Sequence, residues 1–196
     1  MYSNYFKRLF DILFSLIIFF LFSPLVISLL VISMIIYGKP IYTQKRIGKD
    51  LKEFKIYKIT TLYGKEINVE DILNKNRNNF YGNLIRNLGF DELLQVYNIL
   101  KGEMSFIGPR PLSPDYLKRY NNVEILRHKI RPGITGLAQV NREKIKTHKE
   151  RFKYDLYYIK KISFILDFYI FLNTFKSIYN NFNKKIIINP PFNGKN

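Results

Sequence analysis

Two adjacent acids, Asp91 and Glu92, follow Gly89-Phe90 at the predicted start of a helix over 91–100. A carboxylate there is stabilised by unpaired amides and the helix dipole, and a phosphate could bind at the same end. Neighbouring helical residues point about 100° apart, so one acid can attack or hold a metal while the other handles a proton. Ordinary helix capping by these acids is the simpler alternative. Gly108-Pro109-Arg110-Pro111 is more pointed. Two prolines stiffen the backbone around Arg110, whose guanidinium fork suits phosphate oxygens, although a plain loop salt bridge fits equally. Arg127-His128-Lys129, Arg131-Pro132-Gly133 and Gly136 combine positive charge with glycines that permit close backbone approach. They fit a diphosphate site or a solvated basic face.

The composition agrees with anionic partners. The 196 residues carry a formal charge of +17, which nucleic acid, an anionic membrane or phosphorylated small molecules would all satisfy. With no cysteine and only His128 and His148, a structural zinc site or a Cys-His nucleophile is excluded.

The elements that must position these residues begin with 12–37, which contains no charged residue. That run is long enough for a helix to cross a hydrocarbon core about 30 Å thick. It is too long for a signal peptide, and no small-residue cleavage site follows it. Ser23-Pro24 near its middle predicts a bend, with the Ser23 hydroxyl softening the lost backbone pairing. A kinked spanning helix and a re-entrant helix-break-helix both fit. Lys7 and Arg8 before the run, and Lys39, Lys45, Arg46 and Lys49 after it, favour re-entry with both flanks cytoplasmic.

Beyond Gly38 the pattern becomes mixed and charged. Short strand-like pieces at 41–43 and 54–57 surround a turn at Ile47-Gly48-Lys49-Asp50. Residues 63–83 read as polar loop with one helix, 102–114 as loop, and 115–128 as helix. The stretch 149–161 is a basic amphipathic helix with tyrosines, suited to a membrane interface. Residues 162–172 are apolar but too short to span, and the tail from Asn180 is polar. The expected fold is mixed α/β and mostly helical. It has a re-entrant anchor (1–38), a small cytosolic α/β catalytic domain with amphipathic interface helices (39–180), and a tail (181–196).

Read in order, the chain resembles the monotopic phosphoglycosyl transferases of the bacterial sugar transferase family. The matching pieces are Phe6-Lys7-Arg8-Leu9-Phe10-Asp11, Ser23-Pro24, Phe54-Lys55-Ile56-Tyr57-Lys58 and Asp91-Glu92-Leu93-Leu94-Gln95. Further along come 98–111, ending in Pro-Arg-Pro, then 127–136, Ala138-Gln139-Val140-Asn141 and Asp155-Leu156-Tyr157-Tyr158. Each piece is moderately specific, but their joint order is highly specific. The short length resembles single-domain members such as the enzyme that initiates bacterial N-linked glycosylation.

The resemblance implies a two-step transfer of sugar 1-phosphate from a UDP-sugar to polyprenol (undecaprenyl) phosphate, with release of UMP. Asp91 matches the family nucleophile and also binds Mg2+, and Glu92 completes the dyad. Lys58, Arg86, Pro109, Arg110, Pro111, Arg131, Gln139 and Arg142 match substrate-binding positions. It also implies the cytoplasmic face of a bacterial inner membrane, no nucleic-acid partner, and delivery of product to downstream glycosyltransferases. Neither sugar, glycan pathway nor oligomeric state follows.

Departures stand at Ile59-Thr60-Thr61-Leu62, which lacks a second charge, at Gly89, and at Leu137, where the family has Trp. At Asn141-Arg142-Glu143 the usual sequence is Asn-Gly-Arg, so Arg142 would supply the displaced charge from one residue earlier. That change also supports a rival, a catalytically impaired or regulatory relative. A membrane-tethered nucleic-acid binder is the second rival, suggested by charge and tyrosines but lacking any recognised module.

Overall fold

The computed structural model describes residues 2–64, 79–183 and 193–194. A π-helical turn, Tyr2–Phe6, leads into helix α1, Lys7–Tyr37. The helix ends on Gly38, whose left-handed φ of 73° lets its amide bond the Met34 carbonyl. At Ser23-Pro24, where a bend was expected, the backbone stays helical with Pro24 inside the run. Proline lacks the amide that would bond the carbonyl four residues back. Here that carbonyl belongs to Phe20, and the Ser23 hydroxyl donates to it at 3.0 Å. The local repair keeps the helix continuous.

The helix is apolar and mostly uncovered; Phe20 and Leu21 are 72% and 70% exposed. By length and composition it is able to cross a membrane. Yet both its ends are bonded to the same globular body. Near the start, Arg8 donates to the Ile99 and Leu100 carbonyls. One turn on, Asp11 accepts from the Ser105 hydroxyl and the Phe106 amide. Near the end, Ser33 donates to the Thr60 carbonyl, Tyr37 donates to Asn79, and the Leu29 carbonyl accepts from Tyr81.

Strands β1 (Ile41–Ile47) and β2 (Glu53–Ile59) form an antiparallel hairpin. It is longer than the sequence suggested because Lys45, Arg46, Glu53 and Lys58 interrupt the apolar pattern. Helix α2 (Phe80–Leu88), a 3-10 turn (Phe90–Glu92) and helix α3 (Gln95–Leu100) follow. The helix predicted to open at Asp91 therefore starts only at Gln95. The acids lie on a tighter turn, whose entry requires Gly89 at φ 74°.

The expected loop after Gly102 contains β3 (Ser105–Ile107), which pairs in parallel with β4 (Gly133–Thr135). Residues 115–128 form two 3-10 segments, Pro114–Arg119 and Glu124–Lys129, rather than one helix. Leu137–Val140 is a short helix, α4. Helix α5 (His148–Lys161) opens with a Thr147–Glu150 capping box. Helix α6 (Phe164–Asn183) extends well beyond the apolar stretch seen in sequence.

Three apolar clusters hold the site. Phe54, Ile56, Ile99 and Met104 join the hairpin to α3. Ile107, Leu137, Tyr158 and Ile170 join β3 to α5 and α6. Leu29, Ile59 and Ile85 meet Phe90 and Leu94, so the residues on either side of Asp91-Glu92 rest on α1.

Candidate active site

The 3-10 turn points Asp91 and Glu92 at β2, where Lys58 stands. The Lys58 ammonium donates to Glu92 Oε1 at 2.5 Å and lies 3.7 Å from Asp91 Oδ2. Arg110 Nη2 donates to the same Glu92 oxygen at 3.1 Å. Glu92 is thus clamped by two cations. Asp91 is 8% exposed and, among the described residues, makes no hydrogen bond through its side chain.

The two acids titrate apart. Burial raises the Asp91 carboxyl to about 6, against the attraction of Lys58 and with help from the charge of Glu92. Burial also acts to raise Glu92, but the charges of Lys58 and Arg110 and their hydrogen bonds overcome it and hold Glu92 below the usual carboxylate range. Divergent carboxyls in one cleft suit divided chemical roles.

Further cations surround the pair. Arg86, on the last turn of α2, donates to the Thr61 carbonyl at 2.7 Å and to Asn83, and its charge acts on Asp91. Arg142 is partly buried, and its pKa is lowered by burial and by the nearby charge of Arg110. Lys58, Arg86 and Arg110 therefore gather around the dyad, and Arg142 lies near Arg110.

Two further expected residues make no bond to the dyad among the described residues. Arg131 donates from Nε to the Gly102 carbonyl at 2.8 Å, beside Arg8. Gln139, on α4, leans toward the Ile134 carbonyl at 3.5 Å, and its own buried carbonyl oxygen has no partner among the described residues.

The prolines work through the backbone. The Pro109 carbonyl accepts from the Gly133 amide at 3.0 Å, and the Gly108 amide donates to the Thr135 carbonyl at 2.9 Å. The two loops cross so closely that a Cβ on Gly133 would overlap the Gly108 amide. From behind, Arg127, 2% exposed, donates to the Arg110 carbonyl at 2.8 Å and to Asp155 at 2.8 Å. Asp155 entered the sequence reading only as part of a matching stretch, and Arg127 as one member of a basic cluster. An acid on the α5 face that also carries the buried Phe152 and Tyr158 was the available signal that it needs a buried cation.

The bacterial sugar transferase family model matches residues 2–181, a span holding every residue of the candidate site. The chain belongs to the bacterial sugar transferase family. Among its relatives in that family is the uncharacterized sugar transferase EpsL of Bacillus subtilis (strain 168). The two are 34% identical over 174 residues, 88% of this chain and 86% of EpsL. The UDP-glucose:undecaprenyl-phosphate glucose-1-phosphate transferase of Klebsiella pneumoniae is 37% identical over 189 residues. That match covers 89% of this chain but only 40% of the Klebsiella protein. The exopolysaccharide production protein ExoY of Rhizobium meliloti (strain 1021) is 31% identical over 191 residues, 88% of this chain and 84% of ExoY.

Proposed function

We propose that the protein is a phosphoglycosyl transferase that moves sugar 1-phosphate from a UDP-sugar to undecaprenyl phosphate, through a covalent intermediate on Asp91. The observation that carries this is the asymmetry of the dyad. Glu92 is tied to Lys58 and Arg110, whereas the Asp91 oxygens are left open beside them. The names of family relatives such as the Klebsiella enzyme support the donor and acceptor classes.

In the first step an Asp91 oxygen attacks the sugar-bearing phosphorus. A new O–P bond forms, the bond to the bridging oxygen breaks, and UMP departs with the electron pair. In the second step an undecaprenyl phosphate oxygen attacks the same phosphorus, the O–P bond to Asp91 breaks, and the carboxylate is restored. Splitting one displacement into two lowers each barrier. Lys58 and Arg110 hold Glu92, and with Arg86 they face charge that moves onto phosphate oxygens.

Mg2+ fits the residues present. It binds through one or two carboxylates together with substrate phosphates, and Asp91 has open oxygens beside Glu92. When bound, it would neutralise diphosphate charge and polarise the reacting phosphoryl group. No cluster of three or more acidic, histidine or cysteine ligands occurs among the described residues, so substrate oxygens would complete its shell.

The membrane reading is re-entry from the cytoplasmic face of the inner membrane. Its support is the anchoring of Arg8 and Asp11 at one end of α1, and of Ser33 and Tyr37 at the other, to one globular body.

The deciding experiment incubates the wild type and Asp91→Asn with a panel of UDP-sugars and Mg2+, and reads intact mass and UMP. A phosphosugar adduct on the wild type alone is the expected result. Turnover by Asp91→Asn would remove Asp91 from the role.

A further inference from the structure

Asp167 is the only charged residue in the apolar stretch 162–172, and the proposed reaction leaves it unused. It lies on α6 and is 4% exposed. Its Oδ2 accepts from the Lys7 ammonium and from the Tyr2 hydroxyl, each at 2.7 Å, and its Oδ1 accepts from the Tyr158 hydroxyl at 2.6 Å. A buried ion pair seldom adds stability over apolar residues of similar size, because desolvation offsets the attraction. Joining the start of the chain to α6 needs no charge, since the Phe164 ring already packs on Tyr2 and Phe10. What the carboxylate supplies is direction.

That direction is toward β3. The Tyr158 hydroxyl that donates to Asp167 also stands 3.3 Å from the Ile107 carbonyl oxygen, so one proton lies between the acid and the last residue of β3. One turn of α1 beyond Lys7, Asp11 takes the Ser105 hydroxyl and the Phe106 amide, both at 3.0 Å. All three residues of β3 are thus tied to the start of α1: two directly, and Ile107 through Tyr158, Asp167 and Lys7. A three-residue strand paired with one neighbour has little rigidity of its own. Three residues after Ile107 comes Arg110, whose guanidinium bonds Glu92 at 3.1 Å.

We propose that Asp167, acting through Tyr158, is a positioning residue for Arg110. Lys7 and Tyr2 fix where the carboxylate sits. Tyr158 carries that position to Ile107, and so to the loop that aims Arg110 at the dyad. Arg127 supports the same segment elsewhere, by holding the Arg110 carbonyl from behind. Arg127 sets the end of the segment, and Asp167 sets its beginning. The consequence for catalysis rests on the reaction assigned to Asp91 and its neighbouring cations. An arginine that faces charge developing in the transition state lowers kcat when displaced and leaves KM nearly unchanged.

Tyr158→Phe and Tyr2→Phe each take one hydroxyl from the same carboxylate, and of the two only Tyr158 also bonds β3. The full chain in detergent is measured for UMP release, melting temperature and amide hydrogen exchange across residues 105–110. In Tyr158→Phe, kcat is expected to fall about tenfold, the loss typical of a hydrogen bond to a charged group, with KM little changed and exchange across 105–110 faster. Tyr2→Phe lowers the melting temperature comparably but keeps kcat and that exchange. Asp167→Asn reproduces the Tyr158→Phe loss; should it not fold, the two tyrosine variants decide. In an Arg110→Ala background, Tyr158→Phe causes no further loss of kcat. Equal kcat losses in the two tyrosine variants, unchanged kcat or exchange in Tyr158→Phe, or a loss that persists beside Arg110→Ala overturns the positioning role. If the wild type releases no UMP yet exchange quickens in Tyr158→Phe alone, the positioning stands and the reaction assigned to Asp91 falls.

Discussion

The Arg127 guanidinium reaches through the core to the backbone carbonyl of Arg110 at 2.8 Å with the same Nη2 that, together with Nε, holds Asp155. A fully buried ion pair thereby fixes the main chain of a residue whose side chain is partly exposed and bound to Glu92. Removing one partner leaves a buried charge unmatched, typically at a cost of about 3–5 kcal/mol. Asp155→Asn should lower the melting temperature and kcat together. In an Arg110→Ala background the stability loss should persist while the further loss of kcat vanishes, as a double-mutant cycle would read.

The acid limb of UMP release should lie near pH 6, because Asp91 must be ionised to attack and its carboxyl is raised to about 6 by burial. Activity falls as pH drops through that value. Glu92→Gln removes a neighbouring negative charge and should move the limb to lower pH. Lys58→Met removes the attracting cation and should move it higher. Stopped-flow measurement of the first half-reaction across pH checks both directions, and a shared direction would contradict the electrostatic account.

Glu92→Gln should also slow the reaction itself. It weakens two charge-assisted hydrogen bonds, each worth about 1.5–3 kcal/mol when a charged group is involved, and so releases Lys58 and Arg110 from their set positions. The expected loss in kcat/KM exceeds any change in melting temperature, since the dyad turn is packed through Phe90 and Leu94 rather than through Glu92.

Gly133→Ala should lose both stability and activity. The added methyl collides with backbone at Gly108 and Ile107 rather than with a movable side chain. Thermal unfolding and adduct formation would register the effect together, since the displaced strand β3 leads directly into Pro109 and Arg110.

The absence of cysteine makes topology directly testable. Single cysteines introduced as Tyr5→Cys and Lys39→Cys flank α1. In oriented inner-membrane vesicles, both should react with an impermeant thiol reagent from the cytoplasmic side. Labelling from opposite sides would refute re-entry.

Much of this was legible before any coordinates. Pro109-Arg110-Pro111 announced a stiffened arginine, and the Lys149–Lys161 pattern gave the helix that carries Asp155. The strand pair β3–β4 was not legible. Each strand has three residues, and their pairing joins Ser105 to Gly133 across a long stretch of chain, so no local period marks it. The acids of residues 91–92 imitated a helix start, but Gly89 in the left-handed region closes α2 and forces a 3-10 turn first. At Pro24 the residue types foretold the Ser23 bond but not that it would suffice to keep α1 helical.

Phe90 and Leu94 bracket the acids and pack against the cluster that joins Leu29 of α1 to Ile59 and Ile85. Under the proposed membrane reading, the elevation of the carboxylates relative to the lipid headgroups is inherited from how deeply α1 sits. Bilayer thickness, a property of the host lipid rather than of either substrate, then becomes a variable of the reaction.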